Sequence, residues 1–126
     1  MEHPIVEKIM KEGINSVNIS MLSEEAQKRI LSDVGEKLFK QNKHQEAVDI
    51  MAKAGEISKL IALGDAFMKE RKSDIATMCF IPTKDKDRLN DAAVLCIQAK
   101  NYALAAKAYE AADNAQMASF IKENFC

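Results

Sequence analysis

Two histidines, three cysteines and four glycines in 126 residues leave little material for the chemistry these residues usually serve. Cys79, Cys96 and Cys126 are odd in number, widely spaced and without the C-x-x-C pairing that metal and redox sites need. Cys79 and Cys96 fall on apolar helical stripes, where a free thiol packs as a small hydrophobe. Cys126 is terminal, whereas a prenylation signal needs its cysteine four residues from the end. His3 lies near the N-terminus. His44 shares a repeat column with Ser73 and Tyr102, which reads as a turn position, and neither histidine has a nucleophile at a recognisable spacing. The glycines are scattered over helix ends and packing sites rather than gathered into a phosphate loop. Adjacent acids such as Glu24 and Glu25 point in different directions and cannot act as an acid–base pair. Catalysis, a metal and a cofactor are therefore not expected.

An excess of one charge is missing too. With 18 basic and 19 acidic residues the net charge is −1, which provides no global field for nucleic acid or an anionic membrane. The short basic runs Lys69 to Lys72 and Lys84 to Arg88 are diluted by acids and read as solvated faces. No apolar stretch approaches the roughly 20 residues of a membrane-spanning helix, so membrane insertion is not expected. The opening "MEHPIVEKIM" has two acids in its first seven residues and lacks a basic region and a small-residue cleavage site, so the expected location is cytoplasmic. The balance of 48% apolar to 29% charged residues is that of one folded domain.

What the chain does have is repetition. Displaced by 29 residues, three segments align without a gap, placing Leu31, Leu60 and Leu89 together. Gly35, Gly64 and Ala93 then coincide, as do Leu38, Phe67 and Cys96, Ala47, Ala76 and Ala105, and Met51, Phe80 and Tyr109. The polar breaks "KQNKHQE", "KERKSDI" and "QAKNYAL" divide each copy. Leu31, Gly35 and Leu38 stand at i, i+4 and i+7, and Ala47, Ile50, Met51 and Ala54 resume that rhythm beyond the break. Each copy is thus a helical hairpin whose small residues permit close approach, with the large residue filling the space beside the crossing. Ser23 followed by Glu24 and Glu25 starts a long helix to about Gln41, Gly55 ends the next, and Ser58 caps the one after. Pro82 stops a helix near Phe80 and leaves "PTKDKD" as an exposed linker. Pro4 and Gly13 bracket an N-terminal helix, and the connector "INSVNISML" is a loop packed by Ile14, Val17, Ile19 and Leu22.

These columns resemble the tetratricopeptide-type repeat over residues 29–116, the third copy "LNDAAVLCIQAKNYALAAKAYEAADNA" most closely. The period is shorter than the family's roughly 34 residues, and the closing proline is missing from the first and third copies. In this the hairpins are similar to those of α-solenoid legs in vesicle-coat and intraflagellar-transport proteins. The resemblance implies an all-α, right-handed superhelical stack within a single domain, with residues 1–22 as N-terminal helix and connector. Residues 23–58, 59–87 and 88–113 would be three repeats and 114–126 a capping helix. It further implies a non-catalytic scaffold whose concave groove, lined by the first helix of each hairpin, binds a peptide or helix of a partner protein. The lining positions would be Ser32, Glu36, Phe39 and Lys40, then Ile61, Asp65, Met68 and Lys69, then Asn90, Val94, Ile97 and Gln98. Phe39, Met68 and Ile97 would form its apolar ridge, unless the ridge is half-buried between helices or covered by residues 1–22. The alternative is an assembly module of a larger coat-like or transport complex, which allows self-association. A redox enzyme using Cys79 or Cys96 is the remaining reading.

Overall fold

Helices begin where a short polar side chain can reach back to otherwise unpaired amide groups. The computed structural model, which describes residues 3–126 apart from the side chain of Ser16, contains five such caps. Ser23 Oγ accepts from the Ala26 N–H at 3.1 Å, and Asp85, Asn101 and Asn114 accept at 3.2–3.3 Å from the amide three residues on. His3 provides the fifth through Nδ1, 3.1 Å from the Ile5 nitrogen, so this histidine caps a helix that Pro4 opens. The described residues form eight helices, α1 (Pro4–Glu12), α2 (Glu24–Lys40), α3 (His44–Lys53), α4 (Ile57–Lys69), α5 (Ser73–Phe80), α6 (Lys86–Gln98), α7 (Tyr102–Ala111) and α8 (Ala115–Phe125). Two 3-10 turns, Ile14–Ser16 and Ile81–Thr83, complete the secondary structure, and the described residues include no strand. The expected all-α class is therefore observed. Residues 1 and 2 of the expected N-terminal segment lie outside the described residues.

The chain divides into two units, one ending at Glu56 and one beginning at Ile57. In the first, Val6 and Ile9 of α1 form a core cluster with Ile30, Val34 and Leu38 of α2 and Ala47 of α3. Ile14, Val17 and Leu22 of the connector pack against it, as the sequence led us to expect, and Ile19 is half-buried. Gly35 faces Met51, so a Cβ at position 35 would lie 2.5 Å from Met51 Cγ.

In the second unit α4 pairs with α5 and α6 with α7, and α8 packs on α7. Phe80, Leu89, Ala92, Ala93, Ala108, Tyr109 and Ile121 share one buried cluster. Full burial of a side chain such as Leu89 or Phe80 stabilises by roughly 1.5–3 kcal/mol. A Cβ on Gly64 would clash with the Cε1 edge of the Phe80 ring, so glycine is favoured here by proximity. An ion pair between Lys122 and Glu110 joins α8 to α7.

The 29-residue period is also written in the backbone. Asn42, Arg71 and Lys100 have φ of 62°, 60° and 63°, and Gly55, Lys84 and Asp113 have 74°, 59° and 60°. The first series ends the first helix of each hairpin. Asn42, Arg71 and Lys100 donate to the carbonyls of Phe39, Met68 and Ile97 at 2.9–3.1 Å, while Lys43, Lys72 and Asn101 donate to those of Leu38, Phe67 and Cys96 at 2.8–2.9 Å. This double closure satisfies carbonyls that the helix leaves over. The second series repeats it after α3 and α7, where Gly55 and Glu56, then Asp113 and Asn114, donate back to the helix. After α5 the pattern changes. Pro82 stops the helix at Phe80 as expected, and the Thr83 hydroxyl donates to the Phe80 carbonyl at 2.6 Å instead.

Three expectations are corrected. Ser58 lies inside the first turn of α4, which begins at Ile57, and so does not stand at the N-cap position before the helix. His44, Ser73 and Tyr102 open helices α3, α5 and α7, because the left-handed residue two places earlier has already turned the chain. The linker after Pro82 is not simply exposed: Pro82, Thr83 and Asp85 are half-buried, and helix α6 has started by Lys86.

Candidate functional site

The first helices of the hairpins carry every residue expected to meet a partner. On α2, Glu36 and Lys40 are exposed, whereas Phe39 is half-buried against the first core, its ring centroid 5.8 Å from that of His44. Ser32 is buried at 8% exposure, so a lining role for it is not supported. On α4 and α6 the half-buried Met68 and Ile97 pack against the second core, while Lys69 and Gln98 are exposed. The apolar ridge thus consists of half-buried members in each unit. Val94 differs, for it is 47% exposed in the middle of α6.

Asp65 does not face solvent alone. Arg88 donates from Nε to Oδ1 at 2.8 Å and from Nη2 to Oδ2 at 2.9 Å, and its Nη1 donates to Asp85 Oδ2 at 2.7 Å. The planar fork matches the two carboxylate oxygens and ties the middle of α4 to the start of α6. Hydrogen bonding to Arg88 holds the Asp65 and Asp85 carboxyls below the usual carboxylate range, and the same bonds raise Arg88. The basic run Lys84 to Arg88 is therefore not uniformly a solvated face. Sequence reasoning missed this clamp because Asp65 and Arg88 are 23 residues apart. A capping Asp85 three residues before Arg88 was the available signal.

The cysteines are in contrasting surroundings. Cys79 and Cys96 are fully buried, and Cys126 is exposed. Burial pushes the Cys79 thiol up to about 12 and raises that of Cys96, whose Sγ lies 3.3 Å from the Thr77 hydroxyl. Neither thiol is poised as a thiolate nucleophile. Among the described residues no group of three or more His, Cys, Asp or Glu side chains is arranged to hold a metal ion, and no helix is long and apolar enough to cross a membrane.

A second surface feature lies on α8. Phe125, 47% exposed, stacks on Tyr102 with ring centroids 4.6 Å apart, and Phe120, 51% exposed, meets Phe125 edge-on at 6.2 Å. The signal was present in the sequence as two phenylalanines off the buried stripe of Ala118 and Ile121. Compared with protein-family models, with curated proteins and with solved structures, the chain finds no match.

Proposed function

We propose that the hairpins stack as a right-handed, tetratricopeptide-like superhelix and that the chain works in the cytoplasm as a non-catalytic scaffold, binding a peptide or helix of a partner protein along its first helices. The observation that carries this reading is Val94, a large apolar residue left 47% exposed on α6. Half-buried Met68 and Ile97 accompany it in the second unit. An amphipathic ligand would desolvate such a strip and meet charges at its margins, the arrangement in which a few central apolar contacts carry most of the affinity. In this reading Glu36, Phe39, Lys40, Asp65, Met68, Lys69, Val94 and Ile97 are the contact residues. Asp65 would contribute as the Asp65–Arg88 pair rather than as a lone carboxylate.

Affinity purification from the native host, followed by Val94→Glu and Met68→Glu, tests the proposal. Val94→Glu is expected to lose the captured partner with little change in melting temperature, since position 94 is already solvated. A variant that captures the same partner as the parent would refute the groove. Met68→Glu reports on the half-buried part of the strip. Lost capture with a modest drop in melting temperature supports the groove, and wholesale unfolding assigns Met68 to the core.

A second reading, an assembly module of a larger coat-like or transport complex, draws support from the Tyr102, Phe120 and Phe125 cluster. Light scattering distinguishes it. Self-association that rises with concentration and disappears in Phe120→Ser/Phe125→Ser would favour assembly, whereas a monomer at all concentrations would leave the scaffold.

A further inference from the structure

In the first unit a cleft of about 570 Å³ opens over α2, between α3 on one side and the C-terminal half of α1 with the turn after it on the other. Buried Ile9, Val34 and Leu38 form its floor, and half-buried Met10, Ile14 and Ile50 complete its apolar lining. We infer that this cleft is a docking site for an amphipathic α-helix of another protein, one whose apolar stripe is flanked by basic residues. The site is separate from the first-helix groove proposed above.

The repeat itself indicates why the occupant is a helix. Two periods on, Val34, Leu38 and Ile50 correspond to Ala92, Cys96 and Ala108; Val34 and Leu38 are buried like their counterparts in the second unit, whereas Ile50 is only half-buried where Ala108 is fully buried. There α5 provides the cover. Its Thr77 hydroxyl lies 3.3 Å from Cys96 Sγ, and its Ala76 and Phe80 share the core cluster of Ala92 and Ala108. The place that α5 fills over α6 and α7 is only partly taken by α1 in the first unit, where Val6 and Ile9 pack with Val34 and Leu38. The cleft borders α3 on its other side, where Ile50 is half-buried against the first core. Its volume is within the range of pre-formed binding sites.

Charge sets the chemistry of the helix that fits. Glu12 stands on one bank, with Glu46 and Asp49 on the other. Of the two lysines in the lining, Lys11 is paired with Glu7 at 3.6 Å, which leaves Lys43 against three carboxylates. A helix with lysine or arginine beside its apolar stripe complements this mouth, and one with acids there is repelled.

The test uses the full chain with isotope-labelled isoleucine methyl groups and two synthetic helical peptides of about 14 residues, one patterned from leucine and lysine and the other from leucine and glutamate. The leucine–lysine peptide is expected to shift the methyl signals of Ile9, Ile14 and Ile50 while leaving Ile97 unmoved, and to bind about tenfold more tightly than its acidic counterpart. Glu46→Lys/Asp49→Lys, at two exposed positions, should weaken it by a similar factor while leaving the circular dichroism unchanged. Equal binding of the two peptides, silent cleft methyl groups, or undiminished affinity in the double variant would each overturn the inference. A response at Ile97 alone would do so as well, while supporting the first-helix groove. Conversely, cleft binding that persists in Val94→Glu separates this site from that groove.

Discussion

Lys100 holds a left-handed backbone, φ 63°, that an L side chain adopts at a cost of about 1–2 kcal/mol. Replacing it by glycine removes that strain but adds unfolded-chain entropy of roughly 0.5–1 kcal/mol. The first effect wins, so Lys100→Gly should stabilise by a few tenths to about 1 kcal/mol. Ala99→Gly, one residue earlier at φ −84°, has no strain to relieve and should destabilise. Opposite shifts in urea midpoint would establish the contrast, and a loss of stability in both would refute it. Charge at a single residue is tested at Asp65. Its carboxyl titrates below its ordinary value of 3.8 because Arg88 hydrogen-bonds the ionised form. A depressed folded-state value contributes stability above the ordinary value, lost as pH falls through the lower one. Asp65→Asn should therefore lower the melting temperature at pH 7, and the gap from the parent should close as pH drops below about 3.8. A gap independent of pH would mean that shape rather than charge matters. High salt should narrow it too, because the pair is partly exposed.

A helical hairpin is held by the fit between its two members, and the three hairpins achieve this with different side chains. Gly64 touches the rigid ring of Phe80, whereas Gly35 faces Met51, equally buried but with a side chain that can rotate. Ala in place of Gly gains about 1 kcal/mol of helix propensity at either site, against an overpacking cost of about 1–3 kcal/mol. Gly64→Ala should be clearly destabilising and Gly35→Ala the milder of the two, as thermal melts would reveal; equal effects would contradict the packing described. Ala105→Leu, at a fully buried contact of the third hairpin, should cost about 1–3 kcal/mol, and the same change at exposed Ala103 almost nothing. These contacts were legible in the sequence because they recur. Gly35 with Met51 and Gly64 with Phe80 were aligned columns before they were contacts, and Pro82 marked the end of α5 through its missing N–H. The Asp65–Arg88 clamp was not legible, because a pair formed once and far apart leaves no periodic trace. Nor were the left-handed turns, since Arg71 and Lys100 lack the glycine or asparagine that usually announces them. Of the candidate site, the positions on the first helices could be read, but not their half-burial, which depends on neighbours that periodicity does not identify.

For the molecule as a whole, the thiols report whether the fold opens. Cys79 and Cys96 are inaccessible and held in the thiol form, while Cys126 is exposed. Iodoacetamide at pH 8 should add one group to the native protein, at Cys126, and three in urea. Modification of Cys79 or Cys96 under native conditions would reveal opening of the second core and revive the redox reading. Lys122 carries a different consequence. It is one period beyond Gly35, Gly64 and Ala93, so a long ammonium-bearing chain, turned to Glu110, occupies the place where each hairpin keeps a hydrogen or a methyl group. The column thus passes from packing to solvation: the Lys122 side chain is 57% exposed and its ammonium rests on the surface of α7, where the hairpins use the same register position for close helix contact.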